Sequence, residues 1–121
     1  MSLIKITAPL EPVPFPRPSS NGTRRFNPPR YSAFKQALGL IANRAMNGQA
    51  PLEGAVKLRA DFFKPKPRPT SRNYGDIDNH LKAVLDALNG ICYIDDAQVV
   101  DARATLNHGA PLIQIELEEL T

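Results

Sequence analysis

The sequence contains one cysteine and no tryptophan, and it lacks any long hydrophobic run. Because Cys92 stands alone, an internal disulfide and a cysteine-based zinc site are both excluded. No stretch approaches the roughly 18 consecutive apolar residues that a membrane-spanning helix needs, and we expect no export signal. These features predict a cytoplasmic protein outside the membrane. A length of 121 residues predicts a single domain over residues 1–121.

Acidic residues are scarce in the first part of the chain, and basic residues are scarce in the second. Residues 1–75 contain 13 Lys and Arg against 3 Asp and Glu, whereas residues 76–121 contain 2 Lys and Arg against 9 Asp and Glu. A basic half favours a polyanionic partner such as nucleic acid, and an acidic half beside it favours a bound cation. Two solvated surfaces would give the same asymmetry, so a motif is needed to decide.

Hydrophobic periodicity predicts six elements in the order β-α-β-α-β-β. They are strands over 3–8, 55–63, 97–106 and 112–118, and helices over about 31–47 and 79–89. The turn at 108–111 predicts a hairpin between the last two strands. Prolines concentrate in 9–29 and 65–69, which we predict to be extended loops. The expected fold is α/β or α+β, a small mixed sheet packed by two main helices.

Carboxylates are concentrated around the second predicted helix. Asp76 and Asp78 lie just before it, where extended backbone would point both side chains to the same side, and Asp78 is a favourable N-cap. Lys82 follows Asp78 by one helical turn, so its ammonium can return toward these carboxylates. Asp95 and Asp96 follow the helix and precede a strand, so we expect them at the same edge of the sheet.

Convergence of Asp76, Asp78 and Asp96 would be unfavourable unless cations compensated their charge. Lys82 supplies one positive charge, and a divalent cation would neutralise the remainder. An all-oxygen ligand set suits Mg²⁺ or Mn²⁺ better than zinc. Such an ion supports phosphodiester hydrolysis, because it polarises the phosphate and helps to deprotonate water. A calcium-binding loop starting at Asp76 is excluded, since its sixth position is not glycine.

Other interpretations of these residues remain open. An Asp-x-Asp pair before a helix is often a cap beside a solvated acid, and Lys82 could form a surface pair with Asp78 or Asp86. The chain could then be a DNA- or RNA-binding module without catalytic activity. A sugar-nucleotide transferase also uses Asp-x-Asp with a metal, but 121 residues leave little room for two substrates. No spacing pairs His80 with His108 as metal ligands, so we expect loop or surface roles for both.

Two basic loops are candidates for contacts with DNA phosphates. The first is rich in proline and asparagine, and its aromatic neighbours Phe26 and Tyr31 could stack on splayed bases. The second is a stiff, proline-rich basic arm that leads into Asp76. The candidate DNA-binding residues are Arg24, Arg25, Arg30, Lys64, Lys66, Arg68 and Arg72.

The motif around these acids resembles the RusA family of Holliday-junction resolvases. The similarity covers residues 76–90, which begin Asp-Ile-Asp-Asn-His-Leu-Lys, and residues 93–101, Tyr-Ile-Asp-Asp-Ala-Gln-Val-Val-Asp. The resemblance implies metal ligands at Asp76, Asp78 and Asp96, the second acid of its pair, and a catalytic lysine at Lys82. It also implies a homodimer that uses Mg²⁺ to make paired symmetric nicks in four-way DNA junctions during recombination and repair. Small resolvases of this kind often belong to phages or prophages.

Overall fold

The computed structural model describes residues 3–16, 29–65 and 76–120. Within these ranges the elements are β1 (Leu3–Ala8), α1 (Pro29–Met46), β2 (Val56–Lys64), α2 (Ile77–Leu88), a short 3-10 helix (Asp96–Gln98), β3 (Val99–His108) and β4 (Leu112–Glu119). The predicted order is confirmed, and each predicted boundary lies within two residues of the observed one. The fold is mixed α and β, with two helices and a four-stranded sheet in the described ranges.

The sheet has the strand order β1-β4-β2-β3. β4 pairs antiparallel with β1 and with β2, whereas β2 and β3 are parallel. The predicted hairpin between the last two strands is therefore wrong. After β3 the chain passes over the end of β2, where the Gly109 amide donates to the Lys64 carbonyl at 3.0 Å, and β4 pairs on the far side of β2. Alternation of side chains shows which face of a strand is buried but does not identify its neighbours.

The connection from β2 to β3 runs through α2, as parallel strands require. The start of α2 lies at the carboxyl end of β2, because Lys64 Nζ is 3.2 Å from His80 Nε2. The segment after α2 returns to the amino end of β2, where the Leu52 amide donates to the Cys92 carbonyl at 2.8 Å. The start of α2 and the residues that follow the helix therefore lie at opposite ends of β2.

The core lies between one face of the sheet and the two helices. Alternate residues of β1 and β4 are buried, as expected for strands with one face on the core. The largest fully buried side chains include Tyr31, Leu38, Leu58, Leu88 and Ile113. Burial of each such aliphatic side chain contributes about 1.5–3 kcal/mol, so this mostly aliphatic core is what holds α2 against the sheet.

None of the helices in the described parts of the chain is both long enough and apolar enough to span a membrane.

Candidate active site

The amino-terminal end of α2 carries two of the predicted acids. Asp76 is the N-cap residue, with extended backbone (φ −110, ψ 98), and Asp78 is an exposed residue of the first helical turn. The expectations that Asp78 caps the helix and that extended backbone aligns both acids are therefore wrong. Both carboxylates nevertheless lie where unpaired backbone N–H groups and the helix dipole favour negative charge.

Asp76 is anchored through its backbone as well as its side chain. Its carbonyl accepts hydrogen bonds from the amides of Asn79 and His80, each at 3.1 Å. Its carboxylate accepts a hydrogen bond from Asn79 Nδ2 at 3.0 Å. The local sequence Asp-Ile-Asp-Asn thus starts the helix and orients its first acid.

His80 connects this helix start to the end of β2. The ring is 2% exposed and packs edge to face against Phe62, with ring centroids 5.5 Å apart and planes at 66°. Its Nδ1 lies 2.9 Å from the Asp76 carbonyl, and because a carbonyl only accepts, Nδ1 carries the proton. Nε2 then accepts from the Lys64 ammonium at 3.2 Å. The predicted loop or surface role for His80 is wrong, since the ring is buried and links the Asp76 backbone to Lys64 of β2.

Burial shifts the pKa values of both His80 and Lys64. It lowers the pKa of His80 below the usual range, although the hydrogen bond to the Asp76 backbone opposes the shift. Burial also lowers the pKa of Lys64. A neutral imidazole can accept the lysine's hydrogen bond, which a protonated ring could not do. The pair therefore joins β2 to α2 without placing two cations in contact.

Lys82 lies one turn farther along α2, on its exposed side. Its ammonium lies 4.4 Å from the centre of the Phe15 ring. Phe15 belongs to the proline-rich segment after β1, and its amide donates to the Asn79 carbonyl at 2.8 Å. A cation over an aromatic face is held by the ring quadrupole while it keeps its formal charge.

Asp86 binds side chains of α1 rather than Lys82. Tyr31 donates to its Oδ2 at 2.6 Å, and Lys35 Nζ lies 3.2 Å from the same oxygen. Burial, together with the Asp86 carboxylate, raises the pKa of Tyr31, so this hydroxyl stays protonated and donates. The surface pair considered between Lys82 and Asp86 is therefore not formed. Tyr31 is 1% exposed, so the predicted stacking of its ring on DNA bases is also wrong.

Asp95 and Asp96 lie at the amino end of β2, opposite the end where α2 begins. Asp95 caps the 3-10 helix, where its side chain accepts from the Ala97 amide at 3.2 Å. Gln98 ties this turn to the residues before β2, donating to the carbonyls of Leu52 at 2.8 Å and Gly54 at 2.9 Å. Asp96 is exposed beside the amino end of β2. The expectation that these acids share the sheet edge of Asp76 is therefore wrong within one chain.

The separation of the acids is large compared with a metal site. β2 has nine residues, so at about 3.3 Å per residue its two ends are roughly 26 Å apart. Accordingly, the parts of the chain that the structure describes contain no group of three or more His, Cys, Asp or Glu side chains able to hold a metal ion. Asp76 and Asp78 offer carboxylate oxygens of the kind that Mg²⁺ accepts, but they are only two ligands.

The basic residues divide into two groups. Arg24, Arg25, Lys66, Arg68 and Arg72 fall outside the described residues. Arg30 begins α1 as an exposed side chain, and its guanidinium lies 3.3 Å from Glu11 Oε2, an ion pair worth about 0–1 kcal/mol at such a surface. Lys64 is half-buried and donates inward to His80. The charges of Glu11 and Arg30 both influence the pKa of Lys64, so this ion pair lies near the contact between Lys64 and His80 at the start of α2.

Comparison with known proteins bears on this arrangement. A family model described as endodeoxyribonuclease RusA matches residues 9–118, which begin just after β1 and end one residue before the end of β4. The chain belongs to the RusA endodeoxyribonuclease family. An uncharacterised protein of Bacillus subtilis (strain 168), YqaN, is 30% identical over 144 aligned positions, covering 100% of this chain and 99% of that protein. The family places the chain among enzymes that hydrolyse DNA internally.

Sequence reasoning missed three contributors to the site. His80 and Tyr31 are buried partners of the motif residues, and Phe15 lies against Lys82. The spacing of Tyr31 on α1 indicates burial but not its hydrogen bond to Asp86. Phe15 lies in a segment without periodicity, so only the folded chain shows what it touches.

Proposed function

We propose that the protein is a metal-dependent endonuclease that makes paired, symmetric nicks in four-way DNA junctions. The observation that carries the proposal is the placement of Asp76, Asp78 and Lys82 within the first two turns of one helix, in a chain that matches the RusA family over residues 9–118. Acids and a lysine at one helix start can bind a cation and a phosphate side by side.

The third acid is supplied by a second copy in this proposal. Because Asp96 lies at the opposite end of β2 from Asp76, one chain cannot gather the three carboxylates. A two-fold dimer can place the Asp96 end of one chain against the Asp76 end of the other, and symmetry then creates two equivalent sites. Two sites also match the two strands that paired nicking requires.

Asp76, Asp78 and the second copy's Asp96 would hold Mg²⁺, with Mn²⁺ as a possible substitute, because their oxygens suit hard cations. When bound, the ion polarises the phosphate and lowers the pKa of water. Lys82 contributes a charge that needs no metal: its ammonium neutralises negative charge that develops on the phosphoryl or leaving oxygen. His80 and Asn79 keep Asp76 oriented while this occurs.

DNA binding is assigned to basic residues around the start of α2. Lys64, at the end of β2, contacts His80 in the first turn of α2, and the charge of Arg30 influences the pKa of Lys64. In sequence, the basic arm runs from Lys64 to Asp76. We propose phosphate contacts for this arm and for the loop before α1, through Lys64, Lys66, Arg68, Arg72, Arg24, Arg25 and Arg30. Such contacts position the DNA without reading its sequence. A reduced Cys92 is compatible with action on DNA in the cytoplasm.

The direct test is incubation of the protein with a labelled synthetic four-way junction and, separately, with a linear duplex of the same arm sequence. We expect nicks at symmetric positions in two opposite strands of the junction with Mg²⁺, no cleavage with EDTA, and an intact duplex. Junction binding without nicking in Mg²⁺ or Mn²⁺ would contradict the proposal and support a nucleic-acid-binding module. Equal cleavage of the duplex would contradict specificity for junctions.

A further inference from the structure

The Lys82 ammonium lies over the face of the Phe15 ring. The ring lies 4.4 Å from Nζ, measured to its centroid. Lysine has four rotatable side-chain bonds, so an exposed ammonium on a helix surface ordinarily samples a wide volume. A phosphate group can exploit a cation that already occupies one position, because less freedom is lost in the transition state.

The ring itself is held from two directions. The Phe15 amide donates to the Asn79 carbonyl at 2.8 Å, which fixes the backbone to the first turn of α2. The ring also meets Tyr31 edge to face, with centroids 5.3 Å apart and planes at 71°. Prolines on both sides, Pro14 and Pro16, restrict the backbone further. Phe15 is therefore a rigid platform rather than a loose side chain.

Asp86, the carboxylate that could compete for Lys82, is bound by two side chains of α1. Asp86 lies one turn after Lys82 and would be its ordinary ion-pair partner on a helix. Instead, Asp86 accepts from Tyr31 at 2.6 Å and pairs with Lys35 at 3.2 Å. Within the described ranges no ion pair joins Lys82 to a carboxylate. Its positive charge is thus oriented by a neutral ring and left available to a phosphate.

We propose that Phe15 is a positioning residue for nuclease activity, which acts by holding the Lys82 ammonium beside the helix start that carries Asp76 and Asp78. The inference rests on the catalytic role proposed for Lys82. It assigns a function in the reaction to the proline-rich segment 10–16 after β1, whose Leu10, Val13 and Phe15 also pack against the core.

The test compares Phe15→Leu, which keeps the apolar volume but removes the π face, with Phe15→Tyr, which keeps it. Single-turnover nicking in Mg²⁺ should slow by about three- to tenfold in Phe15→Leu and stay near the wild-type rate in Phe15→Tyr. The dissociation constant for the junction, measured in EDTA, should not change in either variant. Phe63→Leu, the same change on a half-buried ring of β2, is the control and should leave the rate unaltered.

A second comparison separates action through Lys82 from a general structural effect. The Phe15→Leu change should cause no additional slowing when Lys82 is already alanine. A spectroscopic readout needs no activity: ring current from Phe15 should shift the Lys82 ε-methylene protons upfield, and this shift should vanish in Phe15→Leu but persist in Phe15→Tyr.

The outcomes distinguish the two proposals. If Lys82→Ala nicks at the wild-type rate, the catalytic role of Lys82 fails and the positioning role falls with it. If Lys82→Ala is slow but Phe15→Leu nicks normally, only the positioning role is overturned. The same conclusion follows if Phe15→Leu slows the Lys82→Ala variant as much as the wild type, or if the wild-type ε-methylene shift is absent.

Discussion

Single residues around the start of α2 show how far sequence reasoning reaches. Residue types and spacing predicted Asp76, Asp78 and Lys82 near one another, because all three lie within seven consecutive positions at a helix start. Their partners were not predictable. Spacing allowed Asp86 to pair with Lys82, but Tyr31, 55 positions away in sequence, donates a hydrogen bond to Asp86 instead. Local spacing predicts contacts along one helix, whereas competition from a second helix depends on the folded packing.

The role of Asp78 gives the prediction at this scale. Asp78→Asn keeps the shape of the side chain and removes its charge, so junction binding in EDTA should not weaken. Nicking in Mg²⁺ should fall at least about a hundredfold, the scale seen when a group that stabilises transition-state charge is lost. Gel assays of nicking and binding on the same junction measure both.

The matched control for Asp78 is Asp101→Asn. Asp101 is half-buried in β3, within the same family motif, and its carboxylate lies 3.6 Å from Arg103. We expect its nicking rate to stay within about twofold of the wild type, as for a surface pair of small energy. Wild-type nicking by Asp78→Asn, or an equal loss in both variants, would remove Asp78 from the site.

At the scale of elements, the existence and type of α1, α2 and the four strands followed from periodicity, whereas the 3-10 helix at Asp96–Gln98 lies partly in a predicted strand. The pairing of the strands in the sheet did not follow from periodicity. β4 alternates buried and exposed residues in the same way whether it pairs with β3 or with β2, so the pattern suggested a hairpin that the structure replaces with a crossing over β2. That crossing leaves β3 at the edge of the sheet. Because β3 runs parallel to β2, Asp95 and Asp96, which precede β3, lie at the amino end of β2.

Gln98 holds the element that presents Asp96. Its Oε1 accepts from the amides of Ile94 at 2.8 Å and Asp95 at 2.9 Å, while Nε2 donates to two carbonyls before β2. Gln98→Ala removes the donor to the part-buried carbonyls of Leu52 and Gly54, so the free energy of unfolding should fall by about 1–3 kcal/mol. Urea denaturation followed by circular dichroism measures the change.

Nicking should decline in Gln98→Ala more than junction binding does, because the turn that carries Asp96 loses its attachment. Gln36→Ala, an exposed glutamine on α1, is the control, and its stability should change by no more than about 0.5 kcal/mol. If Gln98→Ala unfolds at the same urea concentration as the wild type, the turn is held by other contacts.

At the scale of the whole molecule, the decisive feature is the distance between the acids. The sequence places Asp96 only 20 positions after Asp76, and this proximity suggested one edge of the sheet. The parallel crossover through α2 separates them instead, since a helix between parallel strands carries the chain back along the full length of β2. Sequence reasoning therefore proposed which residues form the site, but it could not show that Asp96 lies far from Asp76 within one chain.

A site shared between two chains can be tested by complementation. Asp78→Asn and Asp96→Asn are each expected to be inactive as purified proteins. If the site is shared, one site of the mixed dimer carries both substitutions. The other site combines the unaltered Asp78 of one chain with the unaltered Asp96 of the other and is intact. Co-expression with two different affinity tags, followed by sequential purification, yields that mixed dimer.

The most direct measurement is nicking of a four-way junction by this mixed dimer in Mg²⁺. We predict that activity returns and that each junction receives a nick in one strand rather than in two, since one of two sites is intact. If the mixed dimer is as inactive as Asp78→Asn and Asp96→Asn alone, the site is not shared, and the proposed carboxylate cluster is contradicted.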